Sequence, residues 1–248
     1  MGLLFIAQLS LLLFPLSSAA QDYAGVWWDQ TRSGQGITLA QQGNILSGAW
    51  YLYDESGNGL WVTFIDELDG NSLTADLLRF TGPDLGAPWD PEQVDSQVVG
   101  MGSIEFLSTR AAEFRYTLNG VPGLLNLVPF NRLADADTTG IWFDPAQNGQ
   151  GVQLLKDGDA LSGAWYHYGP DGQAAWHTFV GTLEGDVVET ELLRFTGPGL
   201  GFRWDEDEVD SDPAGSVRVE LRGADSVRLD YDLDGATGGL DLVPFRVQ

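Results

Sequence analysis

The chain repeats itself without interruption. Residues 23–130 align with 138–245 at a constant offset of 115, no gap is needed, and on the order of 40% of the aligned positions are identical. Gly25-Val26-Trp27-Trp28-Asp29 falls on Gly140-Ile141-Trp142-Phe143-Asp144. Gly34-Gln35-Gly36 falls on Gly149-Gln150-Gly151, and Ser47-Gly48-Ala49-Trp50-Tyr51 on Ser162-Gly163-Ala164-Trp165-Tyr166. The run 77–83 recurs unchanged as 192–198. Two stretches that align without a gap must share one topology. The chain therefore divides into a leader (1–20), module one (21–130), a short polar linker (131–137) and module two (138–248).

Inside a module the apolar residues alternate with a period of two, the signature of half-buried strands. Val227, Leu229, Tyr231 and Leu233 share one face, while Arg228, Asp230 and Asp232 share the other. Turn residues such as Glu55-Ser56-Gly57-Asn58-Gly59 and Pro170-Asp171-Gly172 separate short strands. The pattern predicts eight strands in module one, near 24–30, 34–42, 45–54, 59–68, 72–81, 99–108, 111–119 and 123–130. No window carries helix caps with a 3.6-residue period. Hairpin-length connections dominate, apart from the loop 82–98, and favour meander order. An all-β fold of two up-and-down barrels, which close on themselves and leave no free edge, is favoured over a two-sheet sandwich.

These motifs carry two resemblances. Gly25-x-Trp27 and Gly140-x-Trp142, each opening a first strand, resemble the G-x-W start of lipocalin- and avidin-type barrels. That resemblance implies a barrel; the polar ligand set of avidins does not map onto this chain, so biotin binding is not implied. The longer pattern G-x-W-[WF]-D…G-Q-G…W-Y-x-Y…G…W resembles a repeat of exported, mostly uncharacterised proteins of Gram-negative bacteria. It implies export but no activity.

Export is also the expectation from the first residues. Positions 3–14 are almost uninterruptedly apolar, about the length of a signal-peptide core, although no Lys or Arg precedes them. Ser17, Ser18, Ala19 and Ala20 follow, which places the mature start at Gln21 and the protein in the periplasm or beyond. No other stretch approaches membrane-spanning length. The absence of cysteine excludes disulfides and thiolate metal sites. The net charge of −24 repels nucleic acid and anionic membranes.

Candidate functional residues follow from the repeat. Four tryptophan positions recur: Trp27/Trp142, Trp50/Trp165, Trp61/Trp176 and Trp89/Trp204. Most read as core. Trp89 and Trp204, beside Asp90 and Asp205 in the long polar loop, read as ligand-contacting, with Tyr53 and Tyr168 on the third strand, on the face opposite Trp50 and Trp165, which is either solvent-facing or lumenal. Flat aromatic faces with polar edges suit a glycan or another small polar ligand. The paired Gly-Gln-Gly reads as turn or bulge chemistry, because a phosphate cradle would need a helix start and a nearby cation. Arg79/Arg194 reads as a structural ion-pair partner for Asp29/Asp144 or another acid. The acidic run after Trp204 reads as a solvated loop, and the lone histidines, His167 and His177, as a poor zinc site, since copy one has Leu52 and Val62 there. No metal or cofactor is expected.

No nucleophile elbow is present, and no carboxylate pair is singled out for glycoside hydrolysis. The resulting expectation is a non-enzymatic exported binding protein. A structural or interaction protein of the cell envelope, and a carboxylate-dependent hydrolase, are the alternatives.

Overall fold

The computed structural model describes residues 21–130 and 138–246. The expected signal segment and linker lie outside the described residues. The fold is all-β: two closed eight-stranded antiparallel barrels in meander order. Barrel one comprises β1 (Gly25–Trp28), β2 (Gly36–Gln42), β3 (Ile45–Tyr53), β4 (Gly59–Glu67), β5 (Ser72–Thr81), β6 (Asp95–Ser108), β7 (Ala111–Leu118) and β8 (Val121–Pro129). Barrel two comprises β9 (Gly140–Phe143), β10 (Gly151–Asp157), β11 (Ala160–Tyr168), β12 (Ala174–Thr182), β13 (Val187–Thr196), β14 (Asp210–Leu221), β15 (Val227–Leu233) and β16 (Ala236–Pro244). Strand six starts at Asp95, earlier than the sequence predicts, because the β5–β6 ladder continues through a bulge at Leu77/Leu78. Barrel two has the same bulge at Leu192/Leu193.

Turn chemistry fixes the register. Leu118 pairs with Val121 across Asn119-Gly120, whose φ angles of 49° and 80° are those a tight primed hairpin requires. Asp234-Gly235 does the same between β15 and β16, at 52° and 83°. Each barrel interior is packed with side chains. Trp50 contacts Tyr116 and Phe114 at ring distances of 4.6 and 5.4 Å, and Ile37, Leu46, Leu77 and Ile104 are fully buried around them.

Closure between the first and last strands is short, with only Trp27↔Pro129 and Trp28↔Val128 in register. A buried carboxylate reinforces it: Asp29 Oδ2 accepts the Asn126 N–H at 2.8 Å, and its Oδ1 accepts the Thr31 N–H and hydroxyl. Asp144 repeats the device on Asp241 N–H at 2.9 Å. Asp29 and Asp144 thus bind backbone amides and not the repeated arginines. Arg194 pairs with Asp234, where copy one has Asn119.

The seam between β4 and β5 is closed by a single registered pair, Thr63↔Leu78; Thr178↔Leu193 is the counterpart in barrel two. Past this point the ends of β5 and β13 stay paired with β6 and β14 on one edge and turn the other edge to the opposite barrel. Thr81 bridges Gln173, and Asn58 bridges Thr196. Gly82 N–H donates to Gly172 O at 3.0 Å, and Gly197 N–H to Gly57 O at 3.1 Å. The offset of 115 carries each bond onto the other, so the barrels meet about a pseudo-two-fold axis.

This contact accounts for the repeated Phe-Thr-Gly-Pro. A Cβ on Gly82 would lie 2.2 Å from the Tyr168 ring, and one on Gly197 would lie 2.4 Å from Tyr53. Gly82→Ala is therefore expected to destabilise the protein by about 1–3 kcal/mol through overpacking. In thermal melts the penalty should shrink when Tyr168→Ala is combined with it, as a double-mutant cycle of touching residues requires.

Candidate functional site between the barrels

The outer faces of β3, β4, β11 and β12 form the interface, and aromatic side chains fill it. Trp61 donates its indole N–H to His167 O at 3.0 Å, and Trp176 donates to Leu52 O at 3.0 Å. Phe80 stacks on Trp61 and Phe195 on Trp176, at 5.6 and 5.5 Å. Tyr51 packs against Tyr166 and Trp176. Strand three therefore has no solvent face here: Trp50 points into the lumen while Tyr51 and Tyr53 point at the other barrel. Burial raises the pKa of the phenols of Tyr51, Tyr53, Tyr166 and Tyr168 above that of a free tyrosine, so all four remain neutral donors.

Gly-Gln-Gly serves this layer. Tyr53 OH donates to Gly34 O at 2.9 Å, and Tyr168 OH to Gly149 O at 2.6 Å. Gln35 Oε1 accepts the Trp50 indole N–H at 3.3 Å, and Gln150 Oε1 accepts that of Trp165 at 3.1 Å. A residue with φ of +91°, Gly34, lets the chain turn so that the glutamine reaches inward while the carbonyl faces the tyrosine. The turn expected from sequence is present, and it also links lumen to interface.

The candidate ligand residues come together, but in crossed pairs. Trp204 of barrel two stacks on Tyr53 of barrel one at 6.0 Å, and Trp89 of barrel one on Tyr168 of barrel two at 6.1 Å. Each loop tryptophan thus meets the tyrosine of the opposite barrel and not that of its own. Both loop tryptophans are half-buried, and the Nε1 atom of each is buried without an acceptor. Asp90 and Asp205 cap short 3₁₀ turns, accepting from Glu92 N–H and Asp207 N–H.

Beside Trp204 lies an open cleft of about 650 Å³, lined by Gln30 and Thr31 of barrel one and Arg203, Asp205, Glu206 and Glu208 of barrel two. At the pseudo-symmetric position copy one offers Pro88, Asp90, Pro91 and Gln93, and copy two offers Pro145 and Ala146. The arginine and the two glutamates of the lining are unique to one side. Gln30, Thr31 and Arg203 do not stand out in the sequence, because the site draws on both modules. The exchange of Pro88 for Arg203 between the copies is the signal that could have found it.

The two histidines form a second feature of copy two. Both are buried in the lumen of barrel two. His167 Nδ1 lies 2.8 Å from Tyr168 O, a pure acceptor, so Nδ1 carries the proton. His167 Nε2 then accepts from His177 Nδ1 at 2.7 Å. This leaves His177 Nε2 as a buried lone pair without a donor. Among the described residues, no group of three His, Cys, Asp or Glu is placed to hold a metal ion, and no helix is long and apolar enough to cross a membrane. Comparison with family models, curated proteins and solved structures finds no match. The fold itself defines the class: paired eight-stranded meander barrels joined in one chain about a pseudo-two-fold axis.

Burial lowers the pKa of both histidines well below 6.5; for His177 the neighbouring His167 and Arg194 add to the effect. Above pH 6.5 both rings are neutral, folded or unfolded, and their contribution to stability is fully present. As pH falls below 6.5 the unfolded chain takes up protons that the folded chain refuses. Stability is then lost toward the depressed folded values, with a slope approaching about 1.4 kcal/mol per pH unit for each histidine. The double variant His167→Leu/His177→Val, which installs the copy-one residues, should flatten the dependence of melting temperature on pH between 6.5 and about 5.

Proposed function

We propose that this is a non-catalytic, exported binding protein that takes a small polar ligand of the carbohydrate class in the cleft beside Trp204. The observation that carries the reading is the pairing of a half-buried tryptophan with a dense polar lining. An indole offers a flat apolar face to a sugar ring. Thr31, Gln30, Arg203 and the carboxylates supply donors and acceptors for hydroxyl groups at its edge. A cleft with an aromatic wall and a few convergent polar groups is the usual form of a small-ligand site.

The counterpart beside Trp89 lacks the arginine and both glutamates, so the reading is of one ligand per chain. Export is supported by the leader and by the way barrel one uses the chain from Gln21 onward. Gln41 Nε2 donates to Gln21 O at 3.0 Å, and Tyr23 stacks on Phe106 at 3.7 Å. A mature protein starting at Gln21 would keep every one of these contacts, and N-terminal sequencing of the exported form would check it.

Isothermal titration with a panel of neutral oligosaccharides tests the ligand reading. A saturable response at one site per chain is expected. Arg203→Ala, which removes the guanidinium that copy one lacks, and Glu208→Gln should each weaken it several-fold without lowering the melting temperature. No response to any member of the panel, or unchanged affinity in both variants, would overturn it.

A further inference from the structure

A second cleft lies between the barrels, chemically opposite to the first. It has a volume of about 300 Å³ and is walled by aromatic rings from both modules. Barrel one contributes Trp61 stacked on Phe80; barrel two contributes Phe143 and Phe245, edge to face at 5.9 Å. Ala49, with no side chain beyond Cβ, lines it as well. Ile65 and Phe245 belong to this lining and remain 50% and 38% exposed.

Thr63 and the exposed Asn148 also line the wall, while the polar groups of Tyr166 and Gln150 are already engaged by the protein. Tyr166 OH bonds Thr38 Oγ1 at 3.0 Å. Gln150 accepts from the Trp165 indole, and its amide donates to Gln147 Oε1 at 3.0 Å. An occupant would therefore meet rings and methyl groups, with few polar atoms to match. Three physical limits then set its chemistry. A cavity of about 150 Å³ lined by apolar side chains takes a benzene, so this volume suits about two rings. Aromatic walls favour flat molecules in stacked or edge-on contact. The net charge of −24 disfavours anions, fatty acids among them.

We propose that this cleft is a binding site for a neutral, planar, hydrophobic molecule of about naphthalene size, separate from the polar cleft beside Trp204. The site is continuous with the interface and shares Trp61 and Tyr166 with it, so it exists only when the barrels are docked.

The test uses the full chain and the neutral fluorophore N-phenyl-1-naphthylamine, with its anionic relative 8-anilino-1-naphthalenesulfonate as the charge control. The neutral probe should bind one per chain with enhanced emission, and the anion at least about tenfold more weakly. Ala49→Leu, which fills the cleft, should raise the probe Kd at least about tenfold. Ala164→Leu, the same change at the pseudo-symmetric position, should leave it unchanged. Circular dichroism melts establish that each variant is folded. If Ala49→Leu does not fold, Phe245→Ala, which removes one wall at an accessible position, should weaken binding in its place. The inference is overturned if the neutral probe does not bind, if the anion binds equally well, if the filling variant (or its Phe245 substitute) binds like the parent, or if Ala164→Leu reduces binding as much as Ala49→Leu.

Discussion

The reciprocal exchange across the pseudo-two-fold axis is the contact on which the remainder of the molecule depends. Each barrel leaves the seam between its fourth and fifth strands almost unpaired, and each would expose backbone groups and aromatic rings there if it stood alone. The partner barrel covers both. Backbone N–H groups at Gly82 and Gly197 find carbonyls in the opposite barrel, and the indoles of Trp61 and Trp176 do the same. Unpaired buried donors are costly, so these few bonds hold the arrangement to one geometry while the stacked rings supply the apolar burial. Both clefts are by-products of this docking, since two convex barrels cannot meet over their whole surfaces.

Much of the fold is legible in the sequence because its causes are local. Alternation along Val227 to Leu233 sets the inward face, and Asn119-Gly120 sets a hairpin register. The ungapped repeat transfers each conclusion to the other module. The interface is less legible for a physical reason. A residue that faces a second barrel looks, in one dimension, like a residue that faces a lumen or solvent. Tyr53 and Tyr168 stand out as candidates, as do Trp89 and Trp204, yet nothing in the spacing says that Tyr53 meets Trp204 and not Trp89. The identity of the run 77–83 with 192–198 is the trace of the interface, although in one dimension it reads as a strand with a structural arginine. Asp29 shows the opposite case: the repeat marks it, but its partner is a backbone amide, which has no signature in the sequence.

The scaffold keeps its symmetry while selected side chains depart from it. Tyr166 finds a hydroxyl partner in Thr38, but the residue equivalent to Thr38 in copy two is Gln153, which turns its amide to Leu154 O. The histidine pair, Arg203 and Asp234 all belong to copy two. Symmetric groups build the frame; the unpaired differences concentrate in one lumen, one cleft and one side of the interface. This division is what a fused pair permits, because a change in one copy no longer appears twice.

The short connection between the barrels has a consequence for association. Only ten residues, 130–139, separate the end of β8 from the start of β9. A tether of that length holds its two ends at an effective concentration in about the millimolar range. The aromatic faces are thereby held near one another at any dilution. The docked state, and every cleft that depends on it, becomes a property of the single molecule and not of its abundance.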